Sequence, residues 1–273
     1  MLSLFLLKSS KIFLLIGVIL SGGNYMFNND GFKNEELILN IFNNTRIKDL
    51  SYHGFRLINT IFEYPTGNEK VHGELVKGFY KPDILLRYKK KEKFISIKSF
   101  KAKEVHQERI KTFILFLREQ GISERTQKTI LLYQYGDLTM NGTGEKRYST
   151  EVFQEFLKER IKEANIELNC NKDFIKDFID RCVFMGVIEG AIAADYLYCG
   201  NEEEGVIASR QQILSYCTKK DLSYLQHLHV GPLLFRPRAR YVKNNETYPE
   251  KRHEVVIYWP RLKDDLKYLV ERY

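Results

Sequence analysis

The stretch that decides the fold is Asp83-Ile-Leu-Leu-Arg-Tyr88, followed by Lys89 to Glu92 and by Lys93-Phe-Ile-Ser-Ile-Lys98. Two apolar runs separated by four charged residues predict a strand, a turn and a second strand. Because side chains alternate along a strand, Ser96 and Lys98 share one face, and the isoleucines beside them share the other. The segment therefore predicts a β-hairpin with a polar site on one face.

Asp83 stands after Pro82, at the opening of the first strand. Its carboxylate can meet the ammonium group of Lys98 across the hairpin. Phosphodiester hydrolysis uses this combination, because carboxylates hold Mg²⁺ at the phosphate and a nearby lysine can orient the attacking water or stabilise developing charge. The same residues also have a structural interpretation, in which Asp83 is a turn residue and Lys98 a charge at the end of a strand.

Around the hairpin, apolar spacing predicts a first helix from Asn34 to Phe42 and a longer helix from Ala102 to Gln120. The composition of Phe55 to Phe62 is strand-like, and Thr129 to Tyr135 is predicted to be a buried strand. The first half thus predicts an α/β fold, in which helices flank a mixed β-sheet.

The loop Asn141-Gly-Thr-Gly144 marks a boundary between a core, residues 26–145, and a C-terminal region, residues 146–273. The C-terminal region is predicted to be mostly helical and to contain strands near its end. The predicted helices are Glu151 to Ala164, Asp173 to Val183, Arg210 to Cys217 and a last one from Leu262, and the predicted strands are Val230 to Phe235 and Glu254 to Trp259.

The charge of the chain favours a polyanionic partner. It has 43 Lys and Arg against 35 Asp and Glu, a net charge of +8. From Arg87 to Lys103 there are eight basic residues and one acidic residue, Glu92. Such a cluster is typical of nucleic-acid-binding surfaces, although a solvated hairpin can carry the same charges.

Residues 1–25 allow two interpretations. Lys8 and Lys11 precede the apolar run Ile12 to Leu20, as in a short signal peptide. The alternative, which we prefer, is that translation starts at Met26 and the upstream segment is an artefact. The four cysteines lack CxxC spacing and are interpreted as reduced thiols, so we expect a cytoplasmic protein without a membrane partner.

The hairpin and its flanking elements resemble the PD-(D/E)xK nucleases, a superfamily that includes bacterial restriction enzymes. The resemblance rests on Asp83 and on Ser96-Ile-Lys98, and it extends to Phe32-Lys-Asn-Glu35, to the loop ending at Gly144 and to His229-Val-Gly-Pro232. It implies a restriction-endonuclease-like core and a Mg²⁺ site, with Asp83 as a ligand and Lys98 beside the attacked phosphate. Glu35, on the first helix, matches a position that often completes the metal site.

Ser96 departs from the usual superfamily pattern, which has an acid at that position. A subgroup shares the SxK variant and carries a replacement glutamate on the next helix. Glu104 and Glu108 are both candidates, and Val105-His-Gln-Glu108 resembles the subgroup's pattern, so we prefer Glu108 as the third catalytic and metal-binding residue.

DNA contacts are expected from side chains near the hairpin and from an arginine-rich segment after Pro232. Arginine suits guanine edges and phosphates because its donors form a planar fork. The expected contacts are Ser96, Lys101, His106, Arg236, Arg238 and Arg240.

The resemblance implies a Mg²⁺-dependent type II restriction enzyme that cuts double-stranded DNA at a short sequence. A homodimer suits a symmetric site, and a cognate DNA methyltransferase would be encoded nearby. One rival function is a non-catalytic DNA-binding protein on a degenerate nuclease fold, for which Ser96 is the best argument. The other is an envelope-associated protein, which would require residues 1–25 to be a real signal.

Overall fold

A computed structural model describes residues 30–78, 80–145, 147–219, 227–237 and 249–272. The segment 1–25 lies outside the described residues. The described helices are α1 (Asp30–Phe42), α2 (Tyr52–Phe62), α3 (Ile110–Glu119), α4 (Glu124–Tyr135), α5 (Thr150–Phe156), α6 (Lys158–Cys170), α7 (Lys172–Asp180), α8 (Arg210–Cys217) and α9 (Leu262–Arg272). The described strands are β1 (Thr45–Arg46), β2 (Lys70–Leu75), β3 (Ile84–Tyr88), β4 (Lys91–Lys98), β5 (Glu104–Arg109), β6 (Tyr196–Gly200), β7 (Gly205–Ser209), β8 (His229–Val230), β9 (Leu233–Pro237) and β10 (Glu254–Tyr258).

The predicted hairpin is confirmed as strands β3 and β4. They pair antiparallel from Ile84 opposite Ile95 to Tyr88 opposite Lys91. The turn between them is tight, and Lys89 adopts φ 54° there. Alternation places Ile95 in one hydrophobic cluster with the side chains of α1 and α2, so Ser96 faces the opposite side of the sheet.

Strands β3 and β4 belong to a six-stranded mixed sheet in the order β1-β2-β3-β4-β6-β7. Strand β6 pairs parallel to β4, with Ile95 beside Tyr196 and Lys98 beside Cys199. Parallel neighbours require a crossover connection, and here the long excursion through α3 to α7 supplies it. The predicted α/β class with a mixed sheet flanked by helices is confirmed.

Two predicted strands are helical. Phe55 to Phe62 lies in α2, where Leu57, Ile58 and Ile61 are buried at helical spacing. Thr129 to Tyr135 lies in α4, which begins after Ser123, whose side chain accepts a hydrogen bond from the Thr126 N–H. In both segments β-branched and aromatic residues suggested strands, but N-terminal capping and burial along one helical face favour the helix.

The predicted helix from Ala102 to Gln120 is wrong over its first part. Residues Glu104–Arg109 form strand β5, and the helix occupies only Ile110–Glu119. The β5 strand pairs antiparallel with β10, as shown by Val255 opposite Glu108. These strands belong to a second, four-stranded sheet in the order β5-β10-β9-β8.

The C-terminal predictions are confirmed as elements: α5 and α6, α7, α8, α9, the β8–β9 hairpin and β10 are all present. The loop ending at Gly144 is also a loop in the structure, yet each sheet draws strands from both sides of it. Residues 146–273 therefore share sheets with residues 26–145 rather than forming a sheet system of their own.

Two hydrophobic clusters flank the six-stranded sheet. The smaller one contains Ile38, Phe42 and Ile58 and lies under α1 and α2. The larger one includes Phe113 and Phe178 and continues to the second sheet. All four cysteines are free thiols, and three of them are buried. Among the described residues, no helix combines the length and the apolar character that crossing a membrane requires.

Candidate active site

Three of the predicted site residues meet at the carboxyl end of β4. Asp83 immediately precedes β3 and lies across from Ser96, whose Oγ donates a hydrogen bond to Asp83 Oδ2 over 3.3 Å. The backbone N–H of Ile97 donates to the same oxygen over 2.5 Å. Lys98 ends the strand on the same face as Ser96. These bonds fix the Asp83 carboxylate at the ends of the central strands β3 and β4, where the charge of Lys98 acts on it.

Glu35 joins this group from the other side of the sheet. Helix α1 covers the smaller core, and its first turns reach the strand ends, where Asn34 Nδ2 donates to Gly200 O over 3.1 Å. Partial burial and the neighbouring Asp83 carboxylate raise the pKa of Glu35 to about 7, although Lys98 acts in the opposite direction. The charges of Asp83 and Lys98 therefore reach Glu35, and the three groups form one electrostatic cluster.

Asp83 is also held in an environment that disfavours its charge. Burial raises the pKa of Asp83, and this effect outweighs the lowering by Lys98 and by the hydrogen bonds from Ile97 and Ser96. Asp83 and Glu35 are thus two neighbouring acids whose charged forms are disfavoured mainly by burial, and the Lys98 ammonium offsets part of that effect.

Lys81 lies behind this cluster and was not predicted. Its ammonium donates to Val105 O over 2.7 Å and to Cys182 O over 2.5 Å. Burial and the charge of Lys98 lower the pKa of Lys81 to about 8. Lys81 thus connects the hairpin to β5 and to the π-helical turn Arg181–Met185, an irregularity often found near functional sites.

The donor set fits a Mg²⁺ ion in part. The hydrogen bonds to Asp83 go to Oδ2, which leaves Oδ1 for a ligand, and Glu35 has no hydrogen-bond partner within the described part of the chain. Oxygen ligands are those that Mg²⁺ prefers, and it commonly uses one or two carboxylates and completes its shell with water and phosphate oxygens. In the described ranges, no group of three acidic, histidine or cysteine side chains is placed to hold a metal.

Glu108 is not part of this cluster. It lies on strand β5 rather than on a helix, and its carboxylate is buried. Arg181 donates to both Glu108 oxygens, over 3.1 Å and 2.8 Å, and His106 Nε2 donates to Oε1 over 2.8 Å. Burial alone would raise the pKa of Glu108, but the hydrogen bonds from His106 and Arg181 outweigh it and hold the pKa below its usual range. The prediction of a helix carboxylate is therefore wrong about the element, because Glu108 lies on β5, and both of its carboxylate oxygens accept hydrogen bonds from protein side chains.

The residues predicted to contact DNA differ in how exposed their side chains are. His106 is buried, and desolvation lowers its pKa to about 4, so it is a neutral donor to Glu108 rather than a surface contact for phosphate. Ser96 is also buried and bonded to Asp83. Lys101 is exposed just beyond β4. Arg236 is exposed on β9, and its guanidinium stacks on the Tyr258 ring at 4.8 Å. Arg238 and Arg240 lie outside the described residues.

The structure also places Glu104 on β5, in the second sheet, and Arg181 in the π-helical turn Arg181–Met185. Glu104, the alternative helix ligand, begins strand β5 opposite Tyr258. Arg181 could not have been found from the sequence, because it lies 73 positions from Glu108 and nothing local marks it. Lys81 had a weak signal, since Lys81-Pro82-Asp83 places a cation beside the predicted metal ligand.

Comparison with known proteins leaves the site to be interpreted from its own geometry. No protein-family model matches the chain, and no curated protein matches it either.

Proposed function

We propose that the chain is a Mg²⁺-dependent endonuclease that cuts double-stranded DNA. The observation that carries the proposal is the convergence of Glu35, Asp83 and Lys98 at the carboxyl end of β4. Two carboxyl groups whose pKa values are raised mainly by burial, together with an ammonium group, are the combination that metal-assisted phosphodiester hydrolysis uses.

Each residue would have a defined task. Asp83 and Glu35 would hold the cation, and the Ser96 hydroxyl keeps the Asp83 carboxylate oriented through its hydrogen bond. When bound, Mg²⁺ would neutralise phosphate charge and ease deprotonation of the attacking water. The Lys98 ammonium would lie beside the phosphate and stabilise the charge that develops there.

The order of elements also supports the proposal. The fold contains a helix that carries one acid, a meander of antiparallel strands that carries the second acid and the lysine, and a strand parallel to β4. This order agrees with what the resemblance to PD-(D/E)xK nucleases implies. The parallel strand is β6, whereas the segment Thr129 to Tyr135, predicted to be a buried strand, is part of helix α4. Membership of the superfamily remains part of the proposal.

The basic stretch from Arg87 to Lys103 supports DNA binding less strongly than its charge count suggests. Arg87 pairs with Glu74 and Glu92. Lys89 pairs with Glu69 at 3.0 Å. The exposed lysines that continue past the site, Lys101 and Lys103, are the better candidates for phosphate contacts.

We further propose that cleavage occurs at a short specific sequence and that base contacts come from the C-terminal region, including Arg236. We also propose that the protein works in the cytoplasm as a homodimer and that a cognate DNA methyltransferase accompanies it. These details follow from the resemblance to restriction enzymes. The free state of all four cysteines is compatible with a reducing compartment.

A second candidate function is a DNA-binding protein that has lost catalysis. It is favoured by Ser96, which replaces the usual acid, and by the engagement of Glu108 with Arg181. The two candidates differ in one outcome, because both predict duplex binding and only the first predicts cleavage.

The proposal is tested by measuring the rate at which the protein cleaves double-stranded DNA in the presence of Mg²⁺ and, for comparison, in the presence of the chelator EDTA. Asp83→Asn and Lys98→Ala should each lower the rate by at least about 100-fold, because each removes a charge needed at the phosphate. The matched control Asp173→Asn removes an exposed carboxylate on α7 and should cut normally. Melting temperatures near that of the wild type would show that the variants are folded. Normal cleavage by Asp83→Asn would contradict the proposal.

A further inference from the structure

A cavity of about 800 Å³ lies at the end of the sheet opposite the candidate active site. Its wall includes Lys93 near the start of β4, whereas Lys98 ends that strand. Five residue-to-residue steps along the extended strand separate the two lysines by about 17 Å. The cavity is therefore distinct from the cluster of Glu35, Asp83 and Lys98.

Positive charge dominates the wall. Five cationic side chains and one carboxylate, Asp195, line the cavity. The cations come from β4, from α7, and from the two ends of α8. They are Lys93, Lys172, Lys176, Arg210 and Lys219.

Part of this charge is already neutralised. Lys93 lies 3.4 Å from Asp195, Lys176 pairs with Asp173 at 2.9 Å, and Arg210 pairs with Asp180. Lys172 and Lys219 have no carboxylate partner in the part of the chain that the structure describes. Two exposed ammonium groups thus face a common space, and no carboxylate of the described residues pairs with either of them, so together they attract an anion.

The remaining wall is suited to a ligand larger than a simple ion. Tyr196 and Leu214 supply apolar surface, while Ser215 and Thr218 supply hydroxyl groups. Pockets for small ligands typically have volumes of about 300–1,000 Å³ and combine apolar surface with a few polar groups. The observed volume and the mixed wall fit a phosphorylated ligand with an organic part.

We propose that this cavity binds the phosphate group of a nucleotide. Its Lys172 and Lys219 ammonium groups contact the phosphate oxygens, and the apolar wall covers the base. The source is a free nucleotide or the phosphorylated end of a DNA strand, which present the same chemistry. The proposal is independent of nuclease activity.

Calorimetric titration with adenosine monophosphate, and with a short single-stranded oligonucleotide bearing a 5′-phosphate, tests the site. Saturable binding of either probe is expected. The double variant Lys172→Ala with Lys219→Ala should weaken it by at least about tenfold, because contacts to charged groups are the stronger ones. Tighter binding of the oligonucleotide would identify a strand end as the ligand, and tighter binding of the nucleotide would identify a free metabolite.

Two controls make the test specific. Lys158→Ala with Lys162→Ala removes the same charge from exposed positions of α6 and should leave the affinity unchanged. Both titrations are made with EDTA present, so they do not depend on cleavage, and failure of the nuclease proposal would not affect the result. Absence of binding for both probes, or equal weakening by the two lysine pairs, would overturn the proposal.

Discussion

The buried ion pair between Arg181 and Glu108 gives a quantitative prediction. Arg181→Met keeps a side chain to pack on the Phe116 ring, which lies 4.6 Å from the guanidinium, but removes the donors to Glu108. The Glu108 side chain is 1% exposed, so its charge would remain buried with neutral His106 as its donor. Breaking such a pair costs about 3–5 kcal/mol, a large part of the roughly 5–15 kcal/mol that stabilises a typical protein.

The loss should depend on pH. Without Arg181, burial would raise the folded-state pKa of Glu108 above its unfolded value, so the folded state would bind a proton more tightly than the unfolded state. Stability from that proton is present below the unfolded pKa and is lost as pH rises through the folded pKa. The destabilisation should therefore be smaller near pH 4 than at pH 7. Replacing Glu108 by Leu as well should recover part of the loss.

Urea unfolding followed by tryptophan fluorescence measures the effect, because Trp259 is the single tryptophan and is fully buried. Lys176→Met is the control, since it breaks an exposed pair with Asp173 and should change stability little. An Arg181→Met protein within about 1 kcal/mol of the wild type at pH 7 would refute the reasoning. So would a Glu108→Gln protein that keeps its stability and loses cleavage, because Glu108 would then be catalytic.

Three further predictions concern other parts of the molecule. Glu35→Gln should match the wild type in melting temperature near pH 4 and exceed it at pH 8, because the pKa of Glu35 is raised to about 7 and the stability from its proton is lost as pH rises from about 4.5 through 7. Added Mg²⁺ should stabilise the wild type more than the variant. A difference in melting temperature that does not depend on pH would contradict this prediction. Gly142→Ala should lower the free energy of unfolding by about 1–3 kcal/mol in urea titration, because Gly142 has φ +77° and a Cβ would lie 2.6 Å from the Tyr135 ring. The control Gly67→Ala should not change this free energy, because a Cβ at Gly67 meets nothing within 4 Å. Duplex binding measured by fluorescence anisotropy should weaken steeply with salt, and Lys101→Ala should reduce the salt slope by about one counterion; a slope near zero would remove the nucleic-acid interpretation.

Local signals predicted the elements that local interactions determine. The hairpin was found because Ile95 and Ile97 alternate with Ser96 and Lys98, and burial on one face requires that alternation. Helix α8 was predicted with its observed bounds, Arg210–Cys217, and the structure shows a local reason for its start, because Ser209 forms a capping box with Gln212.

The errors occurred where distant pairing decides the structure. Glu104–Arg109 is a strand because it pairs with β10, about 150 residues later, and no local pattern contains that information. Strand β6 was missed for the same reason, because its partner β4 lies about 100 residues earlier. Such non-local contacts override modest local propensities.

In the candidate site, too, residues close together in the sequence were placed correctly, and contacts between distant segments were not predicted from the residues. Asp83, Ser96 and Lys98 could be placed together because hairpin geometry is local. The position of Glu35 was expected only from the resemblance, and the structure brings its charge within reach of Asp83 and Lys98. The contacts of Glu108 with His106 and Arg181 could not be predicted, because these residues come together only once β5 is paired and the π-helical turn is in place.

The location of a metal ion tests the proposed active site most directly. Fe²⁺ bound in place of Mg²⁺ generates hydroxyl radicals with ascorbate and peroxide, and these cut the protein backbone next to the metal. Mass spectrometry of the fragments should show cuts beside Glu35, Asp83 and Lys98, and the double variant Glu35→Gln with Asp83→Asn should lose them. Cuts beside Glu108 and Arg181, or no localised cuts in the wild type, would contradict a metal-dependent site at the carboxyl end of β4.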